Sequence, residues 1–181
     1  MKKYNDALQN YQKALSINYK CLATNHPETA ATYHNIGTLY AEIGNYAAAL
    51  DNCKKALEME LQILPPTHPT LAITYRGISA IFINKGDYAD ALQYLEKALD
   101  IQIKSLPLNH PDFTDTYNNI GMVYDRQDNY QTALKNYEKA VEIASESSGG
   151  THPAMKTYIQ NVSDVRRKLS LALQCKNTVD C

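Results

Sequence analysis

Four histidines stand at a fixed interval of 42 residues, His26, His68, His110 and His152, and each is followed by a proline. Imidazole is the commonest metal ligand, so an evenly spaced set raises the question of a metal centre. Spacing answers it. Side chains carried by successive stacked helical units are about 10 Å apart, whereas coordination demands roughly 2 Å. The histidines are instead expected to cap the helices that follow them, and no metal and no cofactor is expected. His34 lies outside the series and is expected to act as a hydrogen-bonding contact.

Other residues that could do chemistry are absorbed by the same period. Fourteen tyrosines suggest nucleobase stacking, but most fall in columns that repeat every 42 residues. Cys21, Cys53, Cys175 and Cys181 follow no metal or redox spacing and are expected to be reduced, unpaired thiols. Ser145 to Gly150 lacks the Gly-Lys-Ser/Thr ending of a phosphate loop. No nucleophile with an adjacent base stands out, so no catalytic residue is expected and the chain is read as not an enzyme. With 18 Lys+Arg against 19 Asp+Glu there is no basic stripe to neutralise phosphates, which argues against nucleic acid. The first residues lead into an amphipathic pattern and no run of about 18 apolar residues occurs. A cytoplasmic protein that engages no membrane is expected.

The elements that hold these residues follow from the period itself, since repeats of about 20–50 residues are the mark of a solenoid. One set of columns is Tyr4, Tyr46, Tyr88, Tyr130; Ala7, Ala49, Ala91, Ala133; and Ala14, Ala56, Ala98, Ala140. A second is Tyr33, Tyr75, Tyr117; Ile36, Ile78, Ile120, Val162; and Tyr40, Phe82, Tyr124. Spacings of 3, 4 and 7 within each set give amphipathic helices. Each unit is therefore two helices joined at Gly44-Asn45, Gly86-Asp87 or Asp128-Asn129, where positive φ is tolerated. Pro65-Pro66 and Pro107 stop the second helix, and Pro69, Pro111 and Pro153 suit the first position of the next.

The expected helices cover 4–22, 28–42, 46–63, 70–84, 88–105, 112–126, 130–146 and 154–173. They compose one array over 1–173: an orphan second helix at 4–22, repeats at 26–67, 68–109 and 110–151, and a C-terminal capping helix at 152–173. Residues 174–181 are expected to form a flexible tail. Ser163, Arg166, Arg167 and Lys168 replace buried-type residues in the last helix, as a polar cap requires.

These columns resemble the tetratricopeptide repeat, in which aromatic, Leu, Gly and Tyr mark the first helix and Ala, aromatic and Ala the second. Tyr33, Ile36, Gly37, Tyr40, Ala49, Cys53 and Ala56 occupy those places, as do Tyr117, Ile120, Gly121, Tyr124, Ala133, Tyr137 and Ala140. The 42-residue period, the His-Pro starts and the phrase Tyr117-Asn118-Asn119-Ile120-Gly121 resemble the kinesin-light-chain subclass. The resemblance implies an all-α fold, an α-α superhelix of antiparallel helix pairs, with a concave groove lined by the first helices.

In that arrangement the groove stripe beside the packing columns holds His34, Asn35 and Thr38, then Arg76, then Asn118, Asn119, Met122 and Arg126, then Gln160, Asn161 and Arg167. Amide and guanidinium groups there can hydrogen-bond the backbone of an extended peptide. Asn35, Asn119 and Asn161 share a column that Gly77 interrupts. In kinesin light chains the matching asparagine contacts cargo. Carboxylate capture of the chaperone-binding type is not expected, because the cationic pair it needs is missing from the last helix.

The resemblance implies a noncatalytic protein-protein interaction scaffold or adaptor that binds an extended peptide. The alternative is a regulatory or substrate-recruiting piece of a larger multidomain enzyme, such as an NTPase or ADP-ribosyltransferase, with catalysis encoded elsewhere. The partner expected is a protein or peptide, with self-association or further repeats through the N-terminal helix as a further possibility.

Overall fold

The computed structural model describes residues 2–22, 25–148 and 152–179. Among them are eight helices and no strand: α1 (Lys2–Cys21), α2 (Pro27–Glu42), α3 (Tyr46–Ile63), α4 (Pro69–Lys85), α5 (Tyr88–Ser105), α6 (Asp112–Arg126), α7 (Tyr130–Ser148) and α8 (Met155–Val179). The chain divides into two compact units, Met1–Ser105 and Leu106–Cys181. The sequence pattern carries no mark of that division, because the 42-residue columns run through it.

Local chemistry sets each helix boundary. His26, His68, His110 and His152 all accept through Nδ1 a hydrogen bond from the backbone N–H two residues on, each at 3.2 Å. This satisfies one of the donors that a helix start leaves without a partner. The expected capping role is thus met at all four helix starts, and no group of three or more His, Cys, Asp or Glu that could hold a metal ion occurs among the described residues. Pro27 and Pro69 sit in the first turn. Pro111 differs from expectation: it is the cap of α6 with helical φ −58° and ψ −25°, and Pro153 likewise precedes α8. In these two starts the histidine bond closes a turn before the regular ladder begins.

At the opposite ends the chain reverses through left-handed residues, Gly44 at φ 79°, Gly86 at φ 91° and Asp128 at φ 58°. Asn45 and Asn129 then cap the next helix, each accepting from an N–H three residues on at 3.2 Å. Helix α8 continues to Val179 instead of stopping at 173. Residues 174–179 contain neither glycine nor proline to end it. The last two residues of the expected tail, and Gly149 and Gly150 of the Ser/Gly stretch, lie outside the described residues, as do the side chains of Cys175 and Cys181.

In unit 1, α2 pairs with α3 and α4 with α5, while α1 lies against α2. Close approach depends on small residues. A Cβ added at Gly37 would lie 2.3 Å from Cys53 Sγ and 3.0 Å from the Ala49 carbonyl oxygen. Ala49, Ala56, Ala91 and Ala98 are fully buried with Ile78, Leu71 and Leu95. Phe82 stacks on Tyr94 with ring centroids 5.5 Å apart. The ammonium groups of Lys55 and Lys97 lie over the Tyr33 and Tyr75 rings, at 5.9 and 5.7 Å from the centroids, where the negative face of the ring attracts a cation.

Unit 2 repeats the design with α6 paired to α7 and α8 laid against α7. Ala133, Tyr137 and Val165 form its buried centre, with Met122, Tyr124, Tyr130, Leu134 and Val162 packed around it. Gly121 is the counterpart of Gly37, since a Cβ there would come within 2.7 Å of the Tyr137 ring. Helix α8 is less uniformly polar than expected: Arg166 pairs with Glu138 at 2.6 Å, yet Ile159, Leu171 and Leu173 are exposed.

Candidate binding cleft

Helices α2 and α4 run the same way, each leading into an antiparallel partner, and their facing stripes enclose a cleft of about 260 Å³ in unit 1. His34, Thr38, Ala41 and Glu42 form one wall and Gly77, Ala80, Ile81 and Asn84 the other, with Cys53 of α3 at the base. The cleft lies along two first-type helices, and of the groove stripe given by the sequence reading it includes His34 and Thr38. The expected residues His34 and Thr38 are brought together here. Asn35 is exposed outside the lining, and Arg76 is half-buried and also outside it.

The chemistry of the cleft is that of polar acceptors on an apolar floor, with the Glu42 carboxylate at one end. The His34 ring lies against Gly77, whose added Cβ would be 3.0 Å from Cε1. Burial lowers the affinity of His34 for a proton, so the imidazole is neutral near pH 7. Its Nδ1 is buried with no partner among the described residues. Thr38 donates through Oγ1 to the His34 carbonyl oxygen at 3.1 Å, which leaves hydroxyl lone pairs on the cleft side of α2. At the base, the Cys53 thiol is pushed up to about 11 by burial and by the charge of Glu60. Both effects disfavour the thiolate, the nucleophilic form.

Unit 2 treats its groove stripe differently. Asn118 is buried, and its Oδ1 accepts from Asn161 Nδ2 at 2.8 Å. Lys168 donates to both oxygens of Asp125 at 2.7 and 2.8 Å, and Tyr158 donates to Asp115 at 2.5 Å. All three residue pairs join α6 to α8. Met122 is part of the core packing, and Arg167 stands 3.6 Å from Asp164 on its own helix. Asn119 is half-buried, while Arg126 and Gln160 are exposed. Asn118 and Asn161, both on the expected groove stripe, are thus bonded to one another, because parallel helices one repeat apart place the two amides face to face.

A polar column also escaped the sequence reading. Asn18, Glu60 and Gln102 recur at 42-residue intervals on second-type helices and all are buried, as are Thr32, Thr74 and Thr116 on first-type helices. In unit 1, Thr74 donates a hydrogen bond to Glu60, yet burial dominates and pushes the Glu60 carboxyl above its usual range. Glu60 Oε2 and Asn18 Nδ2 have no partner among the described residues. Tyr19 and Tyr33 share a hydroxyl bond of 2.7 Å that ties α1 to α2; burial, with that bond, pushes Tyr33 up to about 12. The signal was present in the sequence as three polar residues at equal spacing, in a place where the helical pattern demanded apolar ones.

Comparison with known proteins supplies the family. A tetratricopeptide repeat profile matches residues 1–61, 40–104 and 112–172. No curated protein sequence matches the chain. Among solved structures, BtubC (BKLC) from P. vanneervenii is similar over 98% of this chain and 71% of its own, with 20% identity and a TM-score of 0.80. The nearly identical TPR-like repeats of a Podosopora anserina chain described as a kinesin light chain are similar over 99% of this chain and 85% of their own, with 18% identity and a TM-score of 0.74. The Sgt2 TPR domain from Aspergillus fumigatus covers 80% of this chain and 82% of its own, at 20% identity and a TM-score of 0.59. These likenesses share the fold of stacked helix pairs, and the profile spans most of the residues whose columns were read above. With its 42-residue helix pairs and kinesin-light-chain-like neighbours, the chain belongs to the tetratricopeptide repeat family.

Proposed function

We propose that this chain is a noncatalytic protein-interaction scaffold of the cytoplasm that binds an extended peptide segment along the groove stripe of its first-type helices. The observation that carries this reading is the cleft between α2 and α4, where the stripe is open and lined by small side chains with polar rims. Sites of this kind, concave and mostly apolar with a few placed polar groups, are where ligands bind. An extended segment suits it because backbone amides find partners in Thr38 and Asn84 without regard to sequence.

Helix α1 carries a second part of the proposal. Helix α1 has the second-helix columns Ala7, Tyr11 and Ala14, and these are half-exposed, whereas Ala49, Cys53 and Ala56 in α3 are fully buried. A further repeat or a second copy of the chain covers that face in this reading.

Peptide-display selection against the chain and against Ala80→Leu, which fills the cleft, tests the groove. Peptides enriched by the parent and lost from the variant support it, provided both proteins give the same helical circular dichroism. Equal enrichment by both, or by neither, sinks the groove reading.

A further inference from the structure

Gly77 stands where the same column holds Asn35, Asn119 and Asn161. In unit 2 the asparagine of this column closes the stripe by bonding to Asn118. At Gly77 there is no side chain to do so, and the His34 ring rests against the bare backbone. The open cleft of unit 1 is therefore a local product of one residue that breaks the column, and its chemistry differs from that of its counterpart.

Its electrostatics are one-sided. Glu42 is the last residue of α2, and Asn84 is one residue from the end of α4. Because the two helices run the same way, their C-termini meet at that end of the cleft, and helix C-termini carry partial negative charge. Glu42 adds a full carboxylate that has no ion-pair partner among the described residues. The nearby cations do not offset it. Arg76 is not among the lining residues, Lys85 pairs with Asp87, and the His34 imidazole is neutral near pH 7. The floor leading to this end is aliphatic: Ala41, Ala80 and Ile81.

An aliphatic run that ends in unpaired acceptors matches a long side chain with a cationic head. We propose that the α2–α4 cleft receives an arginine or lysine side chain of the bound segment, its methylene stem against Ala41, Ala80 and Ile81 and its charged head at Glu42, with the Asn84 amide oxygen as second acceptor. This rests on the groove reading above and names its ligand class. Arginine and lysine cover apolar surface with their stems while the head seeks an anion, which is the geometry this cleft offers.

The test uses the full chain, with peptides from the display selection labelled for fluorescence anisotropy at about 50 mM and at about 300 mM salt, where surface ion pairs are screened to different extents. The expected consensus has a basic residue at one fixed position. Glu42→Gln then weakens binding about tenfold, and Glu42→Arg weakens it further. Replacing the consensus basic residue by methionine in the peptide weakens binding to the parent but makes no further difference to Glu42→Gln. An acidic or wholly apolar consensus overturns the proposal, as does basic-peptide binding unchanged in Glu42→Gln; in either case loss of the same peptides from Ala80→Leu leaves the groove reading standing. Peptides enriched equally by Ala80→Leu, or no enrichment by the parent, overturn both. Glu42 is exposed and its substitution leaves the core untouched.

Discussion

Asn161 donates its amide hydrogen to Asn118 Oδ1 at 2.8 Å, and the acceptor side chain is buried at 8% exposure. A buried acceptor deprived of its donor keeps the cost of its lost hydration, whereas a solvent-facing ligand contact would lose nothing in the free protein. Asn161→Ala is therefore expected to lower the stability of unit 2 by about 1–2 kcal/mol, measured by urea unfolding. An unchanged midpoint would return Asn161 to the role of a ligand contact.

Glu60 makes the opposite kind of prediction, one about pH. Its folded carboxyl holds a proton to higher pH than in the unfolded chain, because burial penalises the charge. Between the ordinary value of 4.5 and its raised one the native state binds more protons, so stability falls as pH rises through that window. Glu60→Gln keeps the shape and a partner for Thr74 and removes the titration, and Gln102 already occupies the equivalent position. We expect Glu60→Gln to be more stable than the parent at pH 8 and the advantage to shrink toward pH 4.5. A constant difference across that range would show that the carboxylate finds compensation.

His34 has the reverse sign. Its folded form resists protonation, so below the ordinary 6.5 the unfolded chain binds more protons and stability declines as pH falls, levelling off once pH is below the lowered folded value. The physical source is burial of the ring, which penalises the charged form. Parent melts at pH 7.5 and 5.5, each compared with His34→Gln, are expected to show a larger loss for the parent. Equal losses would mean that the ring reaches solvent when charged.

Gly37 tests the close approach of α2 to α3. Gly37→Ala places a methyl where Sγ of Cys53 already lies, and the cost is expected to be about 1–3 kcal/mol by overpacking. Pairing it with Cys53→Ala removes the nearest clash but leaves the Ala49 carbonyl oxygen at 3.0 Å. The double variant should recover part of the loss, read as a positive coupling in a double-mutant cycle. Additive losses would place the two residues out of contact.

Cysteine chemistry offers a check on burial. Cys21 is exposed and Cys53 buried, and the Cys53 thiol is held protonated well above neutral pH. At pH 7.5 in the native protein, mass spectrometry after brief alkylation should find Cys21 modified and Cys53 intact, with Cys53 reacting only in denaturant. Native labelling of Cys53 would mean that the cleft opens down to its base.

The sequence by itself determined the elements. Helices α3, α5 and α6 have the bounds read from the pattern, because their starts and stops are set by asparagine, glycine, aspartate and proline within a few residues of each end. The four histidine caps were legible for the same reason: an Nδ1 two residues from its donor is a local relationship. What the tertiary structure decided are contacts between residues about 14 to 43 positions apart, where a one-dimensional pattern gives a face but not a partner. Both Asn35 and Asn161 sit in one column, yet one is exposed and the other bonded to Asn118, since the outcome depends on what the parallel helix one repeat away presents. Glu60 was hidden for a related reason: a carboxylate in an amphipathic helix reads as solvent-facing, and only the packing of α3 on α4 buries it beside Thr74. The cleft, likewise, exists because a glycine on α4 faces a histidine on α2, and that meeting is made by the stacking of helix pairs.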